Sequence, residues 1–320
     1  MKVSRVTAPD LEAPLTRRMR NAAATTSSLL LVIISACGTT ASSPATSAEG
    51  SADAPQASVE EIPEEEFANL LELDPAAFSN STVIDNEYFP LTPGTQFIYE
   101  GSTTDGDAEI PHRIVFTVTD LTKEIAGVRS VVVYDRDYTD DVLEEAELVF
   151  FAQDDDGNVW HLGQYRETYD EVEFVGGRIW FIGVPEGAKA GIMMQADHEV
   201  GAESYSQGYA PAPFNWTDRA RVYKVGEETT TPTGTYADVL VIEETSQEEA
   251  GSFQDKYYAP GVGNVRVGWR GDATDQEELE LVEVRQLDEA ALAVIRAEAL
   301  ALEERAYMYS QTSPADASAE

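Results

Sequence analysis

Hydrophobic and polar residues alternate with a period of two through most of the chain between residues 81 and 286. The alternation is clear in Ile114–Thr119 and in Val131–Tyr134. It recurs, between turn residues such as Gly, Pro, Asn and Asp, in Leu148–Phe151, Val159–Leu162, Arg178–Ile182, Arg221–Val225, Val239–Ile242, Lys256–Tyr258 and Val265–Trp269. Such runs are typical of half-buried β-strands, and they predict about ten to twelve of them.

The connections between these segments favour antiparallel pairing. Pro93–Gly94, Asp156–Gly157 and Pro232–Gly234 are tight-turn sequences, and Asp156–Gly157 separates two strands at hairpin distance. No glycine-rich phosphate loop follows a strand and no long helices alternate with strands, which argues against a doubly wound α/β fold. The predicted fold is mainly β: one large curved antiparallel sheet, half-barrel or barrel-like, spanning 81–286. Such sheets often hold an apolar ligand on the concave face.

Helical periodicity is confined to two segments. A short helical segment is predicted at 58–80, where hydrophobic residues recur at Phe67, Leu70, Leu71 and Phe78. A C-terminal amphipathic helix is predicted at 287–309, with Asp288 as its cap. Its apolar stripe consists of Leu292, Ile295, Ala299, Leu302, Ala306 and Tyr309. The stripe either packs on the sheet or its mouth, or pairs with a second helix in a dimer.

The N-terminal region predicts export. Basic residues precede the apolar run Leu29–Ile34, which is too short to span a bilayer and is typical of a signal peptide, here 1–36. The start is either Met1 or Met19. Ile34–Cys37 resembles the lipobox of bacterial lipoproteins, which implies that Cys37 becomes the lipidated first residue of the mature chain. The alternative is an ordinary secretory signal with an incidental cysteine.

Polar, low-complexity segments flank the folded part. Residues 37–57 and 310–320 lack large apolar side chains, and they are predicted to be a disordered tether and a disordered tail. The chain carries 59 acidic and 21 basic residues, a formal charge of −38. This charge argues against nucleic-acid binding and against polybasic membrane attachment. The one cysteine excludes an internal disulfide and a zinc or iron–sulfur cluster built from several cysteines.

Few residues point to catalysis. The chain has three histidines, His112, His161 and His198, and no G-x-S-x-G nucleophile motif. His161, next to a tryptophan in a predicted strand, is interpreted as a half-buried sheet residue. A hairpin turn explains Asp154, Asp156 and Asn158 better than a weak cation site, since the distal Glu of an EF-hand is missing. We therefore predict no enzyme activity, no cofactor and no metal.

Several motifs resemble a family of bacterial exported proteins and lipoproteins that has no assigned activity. The opening motif is Asp85–Gly101, which follows the family pattern D-N-x-Y-F-P-L-x-P-G-T-x-W/F-x-Y-x-G. Further matches occur, in the family's order, at Ala152–Asp154, Gly157–Trp160, Gly191–Met194, Val200–Gly201, Thr231–Tyr236 and Tyr257–Gly263. The chain departs from the pattern at Trp180–Val184, at Phe214–Trp216 and in its added C-terminal helix. The resemblance implies a fold and an exported location; a more distant similarity is to half-barrel periplasmic lipoprotein carriers.

Two functions remain open from the sequence. One is a lipid-anchored extracytoplasmic lipoprotein that carries an apolar or lipid ligand in the concave sheet, facing the periplasm or at the cell surface. The residues predicted to line that site are Trp160, Trp180, Phe181, Met193, Met194 and Trp269. The alternative is an envelope structural or protein-interaction module without a small ligand, in which Met193 and Met194 plug the end of the sheet. The expected partner in both cases is the lipid bilayer, through acylated Cys37.

Overall fold

The structure is a computed structural model of the 320-residue chain. It describes residues 61–105, 108–170, 173–212, 214–249, 251–271, 276–306 and 315–317. The predicted signal peptide, Cys37, the tether 37–57 and most of the predicted tail lie outside the described residues. Among those described, no helix is both long enough and apolar enough to cross a membrane.

Within these described ranges fifteen strands form one antiparallel sheet, which confirms the predicted fold class. They are β1 Thr95–Asp105, β2 Ala108–Ile125, β3 Val128–Thr139, β4 Val142–Gln153, β5 Val159–Asp170, β6 Glu173–Phe181, β7 Lys189–Met194, β8 Tyr205–Ser206, β9 Gly208–Tyr209, β10 Arg219–Thr231, β11 Gly234–Thr245, β12 Ser252–Ala259, β13 Gly263–Gly271, β14 Glu278–Gln286 and β15 Asp316–Ala317. The path across the sheet is β8-β10-β11-β12-β13-β14-β1-β2-β3-β4-β5-β7-β9, with β6 beside β5 and β15 beside β2.

Most neighbouring strands are also consecutive in the chain and form hairpins. The exception that completes the sheet is β1, which pairs with β2 on one side and with the distant β14 on the other. This pairing joins the meander β1–β5 to the meander β10–β14, so that the two halves share one inner face.

The two faces of the sheet bury different clusters of apolar residues. The first cluster combines residues from both ends of the strand path, such as Val222 of β10 and Met194 of β7. Residues so far apart along the path meet only on a concave surface, so we call this the inner face. The second cluster takes residues from β2 to β7 together with the C-terminal helix, and it forms the outer face.

The C-terminal helix α1 spans Glu289–Arg305 and packs on the outer face. Its cap is the predicted one: the Asp288 carboxylate accepts a hydrogen bond from the Ala291 N–H at 2.8 Å. The buried residues of the stripe are Ile295, Ala299, Leu302 and Ala306. Of the two alternatives for this stripe, the structure shows packing on the sheet, on the side opposite the concave face.

In residues 61–80, the described part of the helical segment predicted at 58–80, the structure has two short 3-10 helices in place of one helix. They span Glu64–Ala68 and Pro75–Ala77, and Asp74 caps the second through the Ala76 N–H at 3.0 Å. The prolines that open each turn, Pro63 and Pro75, explain the break, because proline cannot continue a helix from the preceding turn. Near the other terminus, β15 pairs with Leu121–Thr122 of β2, within the stretch predicted as a disordered tail.

One short segment, Tyr205–Tyr209, touches both ends of the open sheet. Its first part, β8, pairs with β10, and its second part, β9, pairs with β7. Within the described residues no continuous ladder closes the sheet, because the segment changes partner at Gln207. Glycine is required at this contact: a Cβ on Gly191 would lie 2.1 Å from the Gly208 nitrogen, and one on Gly208 would lie 2.4 Å from the Trp180 ring.

Candidate functional site

The inner face of the sheet contains a cavity of about 280 Å³. Strands β1–β5, β7 and β11–β14 contribute to its wall, together with the turn at Gln207 and the loops before β1 and β13. Since α1 packs on the outer face, the helix leaves this space unfilled.

One part of the wall is apolar and largely aromatic. It is formed by Phe89, Leu91, Phe97, Phe116, Phe151 and Leu279. The rings interlock edge to face: the centroids of Phe89 and Phe151 lie 5.3 Å apart, and those of Phe97 and Phe116 lie 6.1 Å apart. This arrangement provides a preformed apolar surface of the kind that binds small hydrophobic groups.

The loop before β1 is fixed over this surface by Asn86. Its side-chain oxygen accepts the N–H groups of Tyr88 and Phe89 at 3.0 and 3.2 Å, and its amide nitrogen donates to the carbonyls of Gly157 and Gln195 at 3.0 and 3.1 Å. Asn86 is buried, and these contacts join the loop to the β4–β5 turn and to the end of β7. The motif residues of Asp85–Gly101 therefore hold Phe89 and Leu91 against the cavity.

The rest of the wall is charged, and the change occurs along individual strands. On β3 the inward positions run Val131, Val133, Asp135; on β4 they run Phe151, Val149, Glu147. Val133 is the register partner of Val149, and Asp135 is the partner of Glu147. Directly opposed residues of an antiparallel pair place their Cβ atoms about 5 Å apart on one face. Two carboxyl groups therefore stand side by side where the apolar surface ends.

The environment of Asp135 keeps its carboxyl group poorly solvated. Its Oδ1 atom is buried and has no hydrogen-bond partner among the described residues. Burial raises the pKa of Asp135 to about 6, although the Arg136 N–H and the charges of Lys256 and Arg136 oppose the shift. A carboxylate here is costly to ionise and would be stabilised by a cation in the cavity.

Glu147 has a cationic neighbour, Arg166, but its pKa is still raised. Arg166 lies 3.3 Å from Glu147 and 3.0 Å from Glu145, so one guanidinium is shared between two carboxylates. Burial raises the pKa of Glu147, with Arg166 opposing the shift and Glu145 and Asp135 adding to it. The pair Asp135–Glu147 is thus short of positive charge.

The cavity lining also has more acidic than basic side chains. Among the described residues of the lining, the ionisable carboxyl groups belong to Asp135, Glu147, Asp218, Glu244 and Glu277, and the ammonium group belongs to Lys256. Lys256 is itself paired with Glu244 at 2.6 Å, and Glu277 contacts His112, outside the lining, at 2.9 Å. Nearby carboxylates raise the pKa of Lys256 against the effect of burial. The polar part of the cavity is therefore electronegative.

His161 contributes an unused acceptor. Its side chain is only 4% exposed, and its Nδ1 lies 3.0 Å from the Gln207 carbonyl oxygen. A carbonyl can only accept, so Nδ1 carries the proton and Nε2 presents a lone pair. Nε2 has no hydrogen-bond partner among the described residues. Burial lowers the pKa of His161 to about 4, so the ring is neutral at physiological pH.

The turn at Gln207 connects His161 to the charged groups. The Gln207 side-chain nitrogen donates to Glu244 at 2.8 Å, while its carbonyl holds His161. Trp180 and Trp216 pack against the imidazole, with centroid distances of 4.9 and 6.1 Å. Trp216 also lines the cavity, and its buried indole nitrogen has no hydrogen-bond partner in the described part of the chain. His161 was interpreted as a half-buried sheet residue, whereas the structure buries it at a cavity wall.

The structure brings one of the six predicted lining residues to this cavity, Met193. Met194 is fully buried in the apolar cluster of the inner face, and Trp160 packs between the two clusters with its indole nitrogen donating to Asp154 at 2.8 Å. Phe181 belongs to the outer face, and Trp180 to a small cluster with Ala188 and Ala210. Trp269 is half-buried on β13 and lies outside the lining.

The acidic turn between β4 and β5 uses its carboxylate internally. The Asp154 Oδ1 atom accepts the N–H groups of Asp156 and Asn158 at 3.1 and 2.8 Å, and Oδ2 accepts the side chains of Asn158 and Trp160 at 2.9 and 2.8 Å. This is the hairpin-turn role that the sequence favoured for Asp154, Asp156 and Asn158. Among the described residues, no group of three or more His, Cys, Asp or Glu side chains is arranged to hold a metal ion.

Sequence reasoning missed the charged half of the cavity. The available signal was the period-two continuation Val131-Val133-Asp135-Asp137 on β3, matched by Phe151-Val149-Glu147-Glu145 on β4. Two apolar runs that turn acidic on the same face predict an amphipathic inner surface once the strands are known to be neighbours.

Replacing Asp135 with Asn is expected to stabilise the ligand-free protein at pH 8 by about 1–3 kcal/mol, because it removes a poorly compensated buried charge. Burial raises the folded-state pKa of Asp135 from 3.8 to about 6, so the folded state binds the proton more tightly than the unfolded state. The contribution of Asp135 to the stability of the wild type therefore falls as the pH rises from about 4 to about 6, and the Asn variant lacks this fall. Urea unfolding at pH 4.5 and pH 8, in roughly matched salt, measures the difference; a destabilised variant at pH 8 would contradict it.

Comparison with known proteins assigns the chain neither a family nor a function. No protein-family model matches the chain, and no curated protein matches it. A solved structure from Bacteroides fragilis, described as an exported protein with a YmcC-like fold, is 14% identical, with a TM-score of 0.37 over 62% of this chain and 99% of that one. One from Parabacteroides distasonis, described as a lipoprotein, is 17% identical, with a TM-score of 0.28 over 62% and 99%. At TM-scores this low, neither likeness indicates a function.

Proposed function

We propose that this protein binds a small amphiphilic molecule in the cavity of the inner face, as an extracytoplasmic binding protein rather than an enzyme. The observation that carries the proposal is the division of one cavity into an aromatic surface and a polar wall with buried, unpartnered atoms. Three residues of the lining each have a buried side-chain atom without a hydrogen-bond partner among the described residues: Asp135 Oδ1, His161 Nε2 and Trp216 Nε1. Buried polar groups are nearly always satisfied, so a set left open around one space favours a ligand that satisfies them.

The volume of the cavity limits the size of that ligand. About 280 Å³ lies just below the usual range for small-molecule sites, which begins at about 300 Å³. A single short apolar group with a polar end fits this space, and a complete two-chain lipid does not. The lipid cargo expected from the sequence is therefore narrowed to a small amphiphile.

The absence of a partner on His161 Nε2 also favours binding over catalysis. A nucleophile activated by histidine needs a hydroxyl or thiol within hydrogen-bond reach of the imidazole. Among the described residues none occupies that position, since Nε2 is unpartnered. A neutral imidazole in this setting is suited to accepting a hydrogen bond from a ligand.

The binding proposal is tested by filling the cavity. Val149 lines it and is 7% exposed, so Val149→Phe is expected to lower the affinity for a neutral probe, octanol, at least tenfold. Val142→Phe, the same change at a 40% exposed position of the same strand, is the matched control and should bind like the wild type. Tryptophan fluorescence reports binding because Trp216 lines the cavity. Unchanged octanol affinity in a folded Val149→Phe protein would contradict the assignment of the site.

We further infer that the folded domain is held at a bacterial membrane through lipidated Cys37, as the Ile34–Cys37 sequence implies. Cys37→Ser is expected to leave an unprocessed precursor and to abolish incorporation of a labelled fatty-acid analogue. Metabolic labelling in the expressing host, followed by membrane fractionation, measures both effects. Normal cleavage and release of the variant would show instead an ordinary secretory signal.

A further inference from the structure

We propose that the ligand of the inner cavity carries a protonated amine, for which Asp135 and Glu147 are the counter-ions. This inference deepens the proposed function and rests on it: it assigns the class of head group that the polar wall selects. The observations behind it are the charge of the lining, the identity of its unpartnered atoms, and the way its single ammonium group is already used.

The charge of the lining excludes the more familiar anionic head groups. In the part of the lining that the structure describes, five carboxyl groups face one ammonium, and that ammonium, on Lys256, lies 2.6 Å from Glu244. A fatty acid or a phosphate would have to displace Glu244 from Lys256 and approach the remaining carboxylates. Like charges at such distances in a poorly solvated site are strongly unfavourable. A cation is instead attracted to these carboxylates, and it can bind without displacing Glu244 from Lys256.

The unpartnered atoms ask mainly for hydrogen-bond donors. Asp135 Oδ1 accepts, and His161 Nε2 accepts because its Nδ1 proton is committed to the Gln207 carbonyl. An ammonium group has three donors and no acceptor, so it can satisfy both of these acceptors, whereas the N–H of Trp216, itself a donor, gains no partner from it. His161 is 4% exposed, so its open lone pair is independent evidence, beside the carboxylates, that a donor-bearing ligand belongs in this space. Trp216 adds an aromatic ring, a surface that attracts cations.

The position of Asp135 is where such a head group and an apolar tail can be bound together. Val133 and Val149 form the adjacent register pair on the same face, and Phe116 is the β2 partner of Asp135. An amine held at Asp135 and Glu147 therefore has its carbon chain directed along the aromatic surface. The unpaired carboxylate costs stability in the free protein, and this cost is recovered when the cation binds.

Protonation of Asp135 makes the proposed binding dependent on pH. Burial raises its pKa to about 6, whereas a simple alkylamine remains protonated to about pH 10. The charged groups around Asp135 on the packed elements are His112, Arg136, Asp137, Glu145, Glu147, Arg166, Asp218, Lys256 and Glu277. Amine affinity is expected to fall as pH is lowered from 8 to 5, because the carboxyl groups of Asp135 and Glu147, whose pKa values are both raised by burial, lose their charge while the amine keeps its own.

The test compares three probes of equal chain length, octylamine, octanol and octanoate, with the full-length protein at pH 8 by isothermal titration calorimetry. Octylamine is expected to bind at least tenfold more tightly than octanol, and octanoate more weakly than octanol. Asp135→Asn should bring the ratio of amine to alcohol affinity close to one. Asp141→Asn, at a 94% exposed position of the β3–β4 turn, is the matched control and should keep the wild-type ratio. Glu147→Gln supplies a second variant with the same expected loss.

The outcomes separate the head-group inference from the proposed function. Equal binding of octylamine and octanol, or tightest binding of octanoate, would overturn the amine assignment and leave the cavity as the binding site. Binding of none of the three probes to the folded protein would overturn both. A preference for octylamine that persists in both Asp135→Asn and Glu147→Gln would also overturn the inference, because it would place the cation elsewhere.

Discussion

Leu302→Asp is expected to lower the free energy of unfolding by about 4 kcal/mol or more, the sum of a lost core contact and an unpaired buried charge. Leu302 is 1% exposed and packs on the outer face with Ile295 and Ala299. Leu300→Asp is the matched control, since Leu300 lies on the same helix but is 37% exposed. Its expected cost is below about 1 kcal/mol.

Urea unfolding of the two variants measures this difference directly. A loss confined to the signal of α1, with the sheet unfolding at the wild-type midpoint, would show that the helix folds as a separate module. Equal effects of Leu302→Asp and Leu300→Asp would contradict the docking geometry itself.

Glu303→Leu is the second change with a large expected effect, about 3 kcal/mol of destabilisation. Glu303 lies 2.7 Å from the ammonium of Lys123, which is completely buried in β2 under the helix. Removing one member of a buried ion pair leaves a charge in a poorly solvated site, which is more costly than replacing both members. The double change Lys123→Met with Glu303→Leu is therefore expected to recover most of the loss. Glu304→Leu, at the exposed neighbouring position, is the control.

The pH dependence of the single variant adds a second check. Burial lowers the pKa of Lys123 below its ordinary value, with Glu303 opposing the shift. A lysine whose folded-state pKa is lowered binds its proton less tightly in the folded than in the unfolded state, so stability rises as pH rises toward 10. Without Glu303 this rise should be steeper than in the wild type. A variant whose deficit is the same at pH 7 and pH 10 would show that the lost energy is packing rather than charge.

These two predictions concern the contacts of α1 with the outer face. Those contacts help to explain how the inner face can remain open. Further ion pairs hold α1 to the sheet, including Arg305 with Glu167 at 2.6 Å. Glu167 is almost fully buried and also accepts hydrogen bonds from Tyr165 and Tyr169. With the strands β2–β5 covered from outside in this way, their inner side chains do not have to fill the concave space to stabilise the fold.

The fold class was accessible from the sequence because it depends on local patterns. Period-two alternation places successive side chains on opposite faces, and turn residues mark where strands end, so the antiparallel sheet could be predicted segment by segment. The helix start at Asp288 and the buried positions Ile295, Ala299 and Leu302 follow in the same way from capping and helical spacing. Two proline-started 3-10 turns replaced the predicted helical segment at 58–80, because local breakers outweighed its apolar spacing.

The lining of the site was less accessible. Trp180 and Phe181 were predicted to line a pocket because they are large and aromatic, but adjacent residues of a strand face opposite sides of the sheet. Phe181 packs on the outer face, and Trp180 packs against the Tyr205–Tyr209 segment at Gly208. The motif residues Phe89, Phe97 and Tyr258, in contrast, do line the cavity.

By itself the sequence determined an acidic, mainly β chain with a capped C-terminal helix and, at its N-terminus, a predicted export signal, because charge, period and short motifs are properties of neighbouring residues. Only the tertiary structure decided where the electronegative cavity lies. Asp135, Glu147, His161 and Lys256 belong to four different strands, and their convergence depends on β1 pairing with β14 and on Tyr205–Tyr209 contacting both sheet ends. The β1–β14 pairing joins residues more than a hundred positions apart, such as Thr95 and Gln286, and no local pattern specifies which strands become neighbours.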